Sequence, residues 1–305
     1  MSSPAATTLQ FDQLLKLDAD SKSAFVLCTN PEQACRAVVV LNRRQWTEAD
    51  VRLALEDSET SREQVHANDK FSKFVLQIPV AANPVEMTVI CPANDVDVAK
   101  YSEQRRSLVR ETPAVYASVT LPFVQALPDA QTAWVRAILS KEQEADKILY
   151  EDDFCMLLPD SKWTDLADTR SMHTLAVLKD TSVLSVRDLT GAHLQPLRTL
   201  RTGVYAELVR RYNVPPDQVR AYVHYLPSFW MAHIHFVALT CPRLGMSTCT
   251  GKAILLDDVI DALERDGSHF QTTNITYVVG EQDGLYPRLL QAGVLPGPCV
   301  DGVVG

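Results

Sequence analysis

Two strand-like runs, VRAYVHYL and AHIHFVAL, are separated only by the turn-like PSFWM, and together they carry three of the chain's seven histidines. In a strand, residues i and i+2 share a face. His233 and His235 therefore point the same way, while Ile234 and Phe236 point into the opposite layer. The alternation commits this part of the chain to a sheet with two imidazoles side by side. On spacing alone, three readings of that pair stay open. It can be the wet face of a half-exposed strand. It can supply two ligands to a metal, which needs a third such as His224. Or a neutral imidazole nitrogen can attack a phosphoryl centre while its neighbour binds phosphate oxygens or protonates the leaving group.

Composition narrows the setting. The chain has 305 residues, 46% apolar and 22% charged, which suits one large domain or two ordinary ones with a sizeable core. No run approaches the roughly 18 uninterrupted apolar residues of a membrane helix, so no membrane partner is expected. The start, MSSPAATTLQ, lacks a basic region followed by an apolar run, which points to a cytoplasmic and possible nuclear location. Net charge is −9. A chain that tracks long nucleic acid is usually basic, so any nucleotide ligand here should be short and gripped by a few local cations. The seven cysteines form no CxxC pair and read as reduced, mostly buried thiols.

Along the chain, residues 1–8 read as disordered. Helical spacing follows in LQFDQLLKL, then strands at AFVLCTN, CRAVVVLN, KFVLQIPV and EMTVICP. TEADVRLALED reads as a helix with Thr47 as N-cap. These make a small α+β domain over 9–98. A hinge helix is expected over 99–112, ending near Pro113. A second domain spans 113–292, with strands at WVRAIL, KILY, FCMLLP and RSMHTLAVL. A long helix then runs from RDLTGAHLQPL to Arg211, with Pro196 tolerable only near its start. After the two histidine-bearing strands come a helix at KAILLDDVIDALE, a strand at NITYVVG and a short helix at GLYPRLL. The tail, 293–305, is Gly/Pro-rich and reads as loose.

Read with its neighbours, HYLPSFWMAHIHF resembles the active-site strand of the histidine triad superfamily, and HYLPS narrows the match to the scavenger mRNA decapping enzymes. LLPDSKW, SVRDLTGAHLQPLR and AWVRAILSKEQEADKILYED resemble segments of that family in the same order, covering residues 100–285. VVVLNRRQW is more weakly similar.

The resemblance implies a histidine-triad-like catalytic domain of antiparallel sheet and packed helices. It also implies a smaller α+β lid domain that exchanges strands in a homodimer. The implied activity is that of a hydrolase acting on acid anhydrides, a 7-methylguanosine cap diphosphatase. It would cleave the triphosphate bridge of a cap dinucleotide or short capped RNA to 7-methyl-GMP and a 5′-diphosphate. His233 would be the nucleophile, His235 its phosphate-binding support, and His224 and Ser228 contacts near the leaving phosphates. Trp134 would stack on the cationic base, and Glu144 would accept from guanine N1–H and N2. Asp160 would contact the cap nucleoside, Lys162 and Lys252 the phosphates, and Lys100 matches a family lysine near the substrate. No metal or cofactor is implied. A catalytically weakened cap-binding protein and a general dinucleoside polyphosphate hydrolase are the alternatives.

Three positions depart from the family pattern. Met231 stands where the first triad histidine is expected. Ser161 replaces an apolar residue that covers the methylated base. Phe229 and Trp230 replace a tyrosine pair.

Overall fold

The computed structural model describes residues 9–19, 22–43, 46–68, 71–79, 85–241 and 245–296. The segment 1–8 and all but the first few residues of the tail, both expected to be loose, lie outside these. The chain divides into two compact units, Met1–Gln104 and Arg105–Gly305.

In the first unit, β1 (Gln10–Asp18), β2 (Ser23–Asn30), β3 (Cys35–Arg43) and β6 (Val85–Ile90) form an antiparallel sheet in that spatial order. The β-branched run of β3 forms its centre, with Ala37, Val38 and Val39 buried. The helix Glu48–Glu56 starts where expected. Thr47 Oγ1 accepts from the Asp50 N–H, and the Asp50 carboxylate accepts from the Thr47 N–H. LQFDQLLKL is not a helix but β1. Two register shifts, between Phe11 and Gln13 and between Leu14 and Lys16, break its two-residue alternation. They leave Phe11, Leu14 and Leu17 at a three-residue spacing that imitates a helix. The remaining strands, β4 (Ser61–Asn68) and β5 (Phe71–Gln77), pair only with each other, and every residue of this hairpin is exposed.

The second unit is built on a six-stranded antiparallel sheet. It comprises β8 (Tyr150–Glu151), β9 (Cys155–Pro159), β10 (His173–Leu178), β11 (Val219–His224), β12 (His233–Ala238) and β13 (Ala253–Leu255), in spatial order β13-β11-β12-β10-β9-β8. One face carries the main core, including Leu157, Ala176, Ala221, Ile234 and Phe236. The long helix Leu194–Tyr212 packs there through Leu197, Leu200, Val204 and Leu208, with Pro196 in its first turn. Gly203 lets the Tyr150 ring pack on that helix, because a Cβ there would stand 2.6 Å from its Cζ and force the ring to move. Fully burying a ring such as Phe236 contributes roughly 1.5–3 kcal/mol.

The helix expected at KAILLDDVIDALE begins only at Leu256, after β13, and two further expectations fail. WVRAIL is the helix Ala133–Leu139, which buries Val135 and Ile138, three residues apart, against the opposite face of the sheet. Its β-branched content suggests a strand, but packing of one stripe decides. The hinge segment is a helix only over Asp95–Tyr101. Arg106–Glu111 is instead β7, paired antiparallel with β14 (Ile275–Gly280).

A buried carboxylate ties the unit together. Glu111, the last residue of β7, accepts from Arg187 Nε at 3.2 Å and Nη2 at 2.9 Å, and from the Thr120 and Tyr225 hydroxyls. Arg187 Nη1 donates onward to the carbonyls of Phe270 and Thr273. Tyr225 lies in HYLPS, so this network fixes the turn that leads into the histidine strand.

Candidate active site

The register of β12 against its neighbours sets the site. His235 faces Leu175 on one side and Tyr222 on the other, and His233 faces Val177. All four imidazoles of this region, His173, His224, His233 and His235, are buried. One ring nitrogen from each of His224, His233 and His235 lies within 4.8 Å of the others.

Above them opens a cleft of about 970 Å³. It brings together Trp134, Glu144, Asp160, Lys162, His224, Ser228, His235 and Lys252, eight residues drawn from seven separate segments. His233 is not among its lining residues. Its ring lies stacked under Phe229, with centroids 4.1 Å apart and planes 16° apart. Lys100 stands in the last turn of the helix Asp95–Tyr101 in the first unit, its ammonium over the Tyr101 ring.

Hydrogen bonds fix what each ring offers. His233 Nδ1 is 2.8 Å from the Met231 carbonyl oxygen. A carbonyl only accepts, so Nδ1 carries the proton and Nε2 keeps its lone pair. That Nε2 is buried and has no partner among the described residues. His224 Nε2 likewise donates to the Ser247 carbonyl at 2.7 Å, which leaves its Nδ1 as an acceptor. A neutral His224 therefore suits a hydroxyl or a water better than a phosphate oxygen. His235 Nδ1 lies 3.1 Å from His173 Nε2, and its own Nε2 is unpartnered among the described residues.

Burial is the main cause that lowers every one of these imidazoles. His224 and His233 are brought to about 4, and His235 lower still, with its histidine neighbours and Lys162 adding to the effect. At neutral pH the cluster is uncharged, and His233 is a free base. Positive charge comes from Lys162 and Lys252. Lys252 is itself lowered by burial and donates to the Leu226 carbonyl.

The cap-facing candidates line the same cleft. Trp134 is 45% exposed and meets Phe229 edge to face, with centroids 5.1 Å apart. Glu144 has a left-handed backbone, φ 55°, and its carboxylate is held by Lys147 Nζ at 2.9 Å. A non-glycine residue there costs about 1–2 kcal/mol, which the turn must offset. Asp160 Oδ1 accepts from the Lys162 N–H, and its Oδ2 is 3.6 Å from His173 Nε2. Ser161 lines the cleft, as does the exposed Leu166.

Met231 is buried among Val135, Leu175, Val177 and Phe229. Its side chain packs, and its carbonyl orients His233. Sequence reasoning missed His173, which is visible only as a titratable residue opening the mostly apolar run HTLAVL.

Two residue sets could hold a divalent cation: His224 with His233 and His235, and Asp160 with His173 and His235. A cation in the first would compete for the His233 lone pair.

An interior strand with alternating histidines, His235 lining and His233 beside a cleft walled by aromatic, acidic and basic side chains, has the chemistry of a phosphoryl-handling site. Two family models match the chain: "Scavenger mRNA decapping enzyme (DcpS) N-terminal" over residues 5–104 and "Scavenger mRNA decapping enzyme C-term binding" over 133–251. The chain is 31% identical over 289 residues to the m7GpppX diphosphatase of Caenorhabditis elegans, covering 93% of this chain and 91% of that one. It is 35% identical over 262 residues to that of Bos taurus, covering 84% and 76% respectively. The Schizosaccharomyces pombe protein of the same name is 35% identical over 232 residues, covering 74% and 76%. The chain belongs to the scavenger mRNA decapping enzyme family.

Proposed function

We propose that this chain is an m7GpppX diphosphatase that clears 7-methylguanosine cap dinucleotides and short capped RNA left by mRNA decay. The observation that carries the reading is His233. Its Nε2 lone pair is aimed by a backbone hydrogen bond and bears no proton at neutral pH. It stands beside a cleft that holds a half-exposed tryptophan, a carboxylate and two lysines.

In this reaction His233 Nε2 attacks the phosphorus attached to the 7-methylguanosine. The N–P bond forms as the bridging P–O bond breaks, and the nucleoside or RNA 5′-diphosphate leaves. Water then cleaves the N–P bond, which releases 7-methyl-GMP and restores the imidazole. Lys162 and Lys252 offset the charge that develops on the phosphates. Trp134 takes the cationic base against its face, and Glu144 reads the guanine edge. Leu166 is the apolar side chain available to replace the wall that Ser161 lacks.

We also propose a homodimer in which the first unit exchanges strands and closes as a lid. Support comes from apolar residues that the first unit leaves in water, among them Phe11, Leu17, Trp46, Leu55 and Phe71. The unpacked β4–β5 hairpin adds to this, since an isolated hairpin is at best marginal in water. Sedimentation at several concentrations tests the dimer. A cytoplasmic location, with a nuclear pool as the alternative, is tested by fractionation.

The activity test is incubation with m7GpppG, with and without chelator, followed by chromatography. The reading requires 7-methyl-GMP and GDP in both, and a marked preference over GpppG. Intact dinucleotide would identify a cap-binding protein instead, and loss of turnover in chelator a metal-dependent hydrolase.

A further inference from the structure

A histidine outside the HxH motif lies buried behind His235. His173 lies on β10, buried, with its Nε2 3.1 Å from His235 Nδ1 and 3.6 Å from Asp160 Oδ2. One of the two facing nitrogens must carry a proton and the other a lone pair. If His235 Nδ1 carried it, the lone pair of His173 Nε2 would face the Asp160 carboxylate, which is repulsive. If His173 Nε2 carries it, the N–H bonds His235 Nδ1 and its positive end also lies 3.6 Å from the carboxylate, which is attractive. The carboxylate therefore decides the matter. Burial keeps His173 uncharged despite that carboxylate, so the contact is a neutral N–H facing an anion, not an ion pair.

We propose that His173 is a positioning residue that holds His235 in the tautomer with its proton on Nε2, through a His173 Nε2–H bond to His235 Nδ1 that the nearby Asp160 carboxylate favours electrostatically. The ring nitrogen that a neutral imidazole leaves over is set by the bond its partner nitrogen makes. His233 and His235 then present opposite chemistry from the same strand face. His233 Nε2 offers a lone pair to phosphorus, and His235 Nε2 offers a proton to a phosphate oxygen. Two neutral rings of the same tautomer could not do both. A distant carboxylate acting through a second residue on a reactive imidazole is a familiar way to fix its orientation.

The catalytic consequence rests on the decapping reading, but the tautomer does not, and the experiment separates them. The full chain is labelled with ¹⁵N-histidine, and long-range nitrogen–proton correlation spectra are recorded without substrate at neutral pH. The His235 signals are assigned by their loss in His235→Asn. The expected result is a protonated Nε2 and an unprotonated Nδ1 on His235. His173→Leu should shift His235 towards the other tautomer, while His173→Gln, whose amide keeps a donor, should restore it. A protonated His235 Nδ1 in the wild-type spectrum overturns the proposal, and this measurement needs no variant to fold. With m7GpppG, kcat should fall about tenfold in His173→Leu with KM within about twofold, and His173→Gln should recover most of the loss. An altered tautomer with unchanged kcat overturns the catalytic role. A wild-type chain that leaves the dinucleotide intact overturns the functional reading, and the spectrum still decides the tautomer.

Discussion

His233 donates its Nδ1 proton to the carbonyl oxygen of Met231 across 2.8 Å, so the residue that lacks the expected imidazole still orients the proposed nucleophile. Any residue at position 231 supplies that carbonyl. His233→Asn should abolish release of 7-methyl-GMP, by at least about a thousandfold or 4 kcal/mol of barrier. Cap binding, measured by fluorescence quenching, should persist. Release at the wild-type rate would remove His233 from the nucleophile role.

Met231→His should change turnover by less than about tenfold, or 1.4 kcal/mol. Its larger effect should be on stability. The Met231 side chain is sealed among Val135, Leu175, Val177 and Phe229, which offer an imidazole no partner. Burying that polar ring costs about 1–3 kcal/mol, which denaturant titration would read.

Stability should fall on the acid side. His224 and His233 have folded pKa values of about 4, below the roughly 6.5 of an unfolded imidazole. Below pH 6.5 the unfolded chain therefore binds protons that the folded chain refuses. The stability present above 6.5 is lost progressively as pH falls towards 4. Between pH 7 and pH 5 each ring accounts for roughly 2 kcal/mol. A double variant, His224→Gln with His233→Asn, should flatten the melting-temperature profile over that interval, and an unchanged slope would contradict the assignment.

Trp134→Ala should raise KM for m7GpppG more than for unmethylated GpppG, because only the methylated base is cationic. The differential should be about 0.5–2 kcal/mol, or up to thirtyfold. Equal losses for both substrates would mean that the ring serves packing alone.

Glu111→Gln tests the buried network. Removing the charge leaves the Arg187 guanidinium, 1% exposed, without its counter-ion. Breaking such a pair costs about 3–5 kcal/mol. Because Tyr225 also donates to Glu111, turnover should suffer beyond the loss of folded protein.

Much of this was legible in the sequence where one physical signal dominates. The β-branched run in β3 and the alternation through β12 appear as strands because nothing competes with their pattern. Thr47 announces its helix through capping chemistry that is purely local. β1 and the helix Ala133–Leu139 are misread because bulges and tertiary packing override spacing. The site follows the same division. Trp134, Glu144, Asp160 and Lys162 were placed by resemblance, and they do line one cleft. His173 and Glu111 were not found. Their importance comes from partners far away in the chain, which no window of sequence contains.

The pairing of β7 with β14 bears on how the protein is made. β7 is the first strand of its unit to leave the ribosome, and β14 is the last. At synthesis rates of about 5–20 residues per second, the wait between them is on the order of ten seconds or longer. Throughout it, the hydrogen-bonding edge of β7 has no native partner strand, and an open edge is a template for pairing with other chains. Glu111 must also wait for Arg187 and Tyr225. A nascent chain cut short before Ile275 would therefore carry a finished histidine strand and an unfinished shell, a species for chaperones to hold.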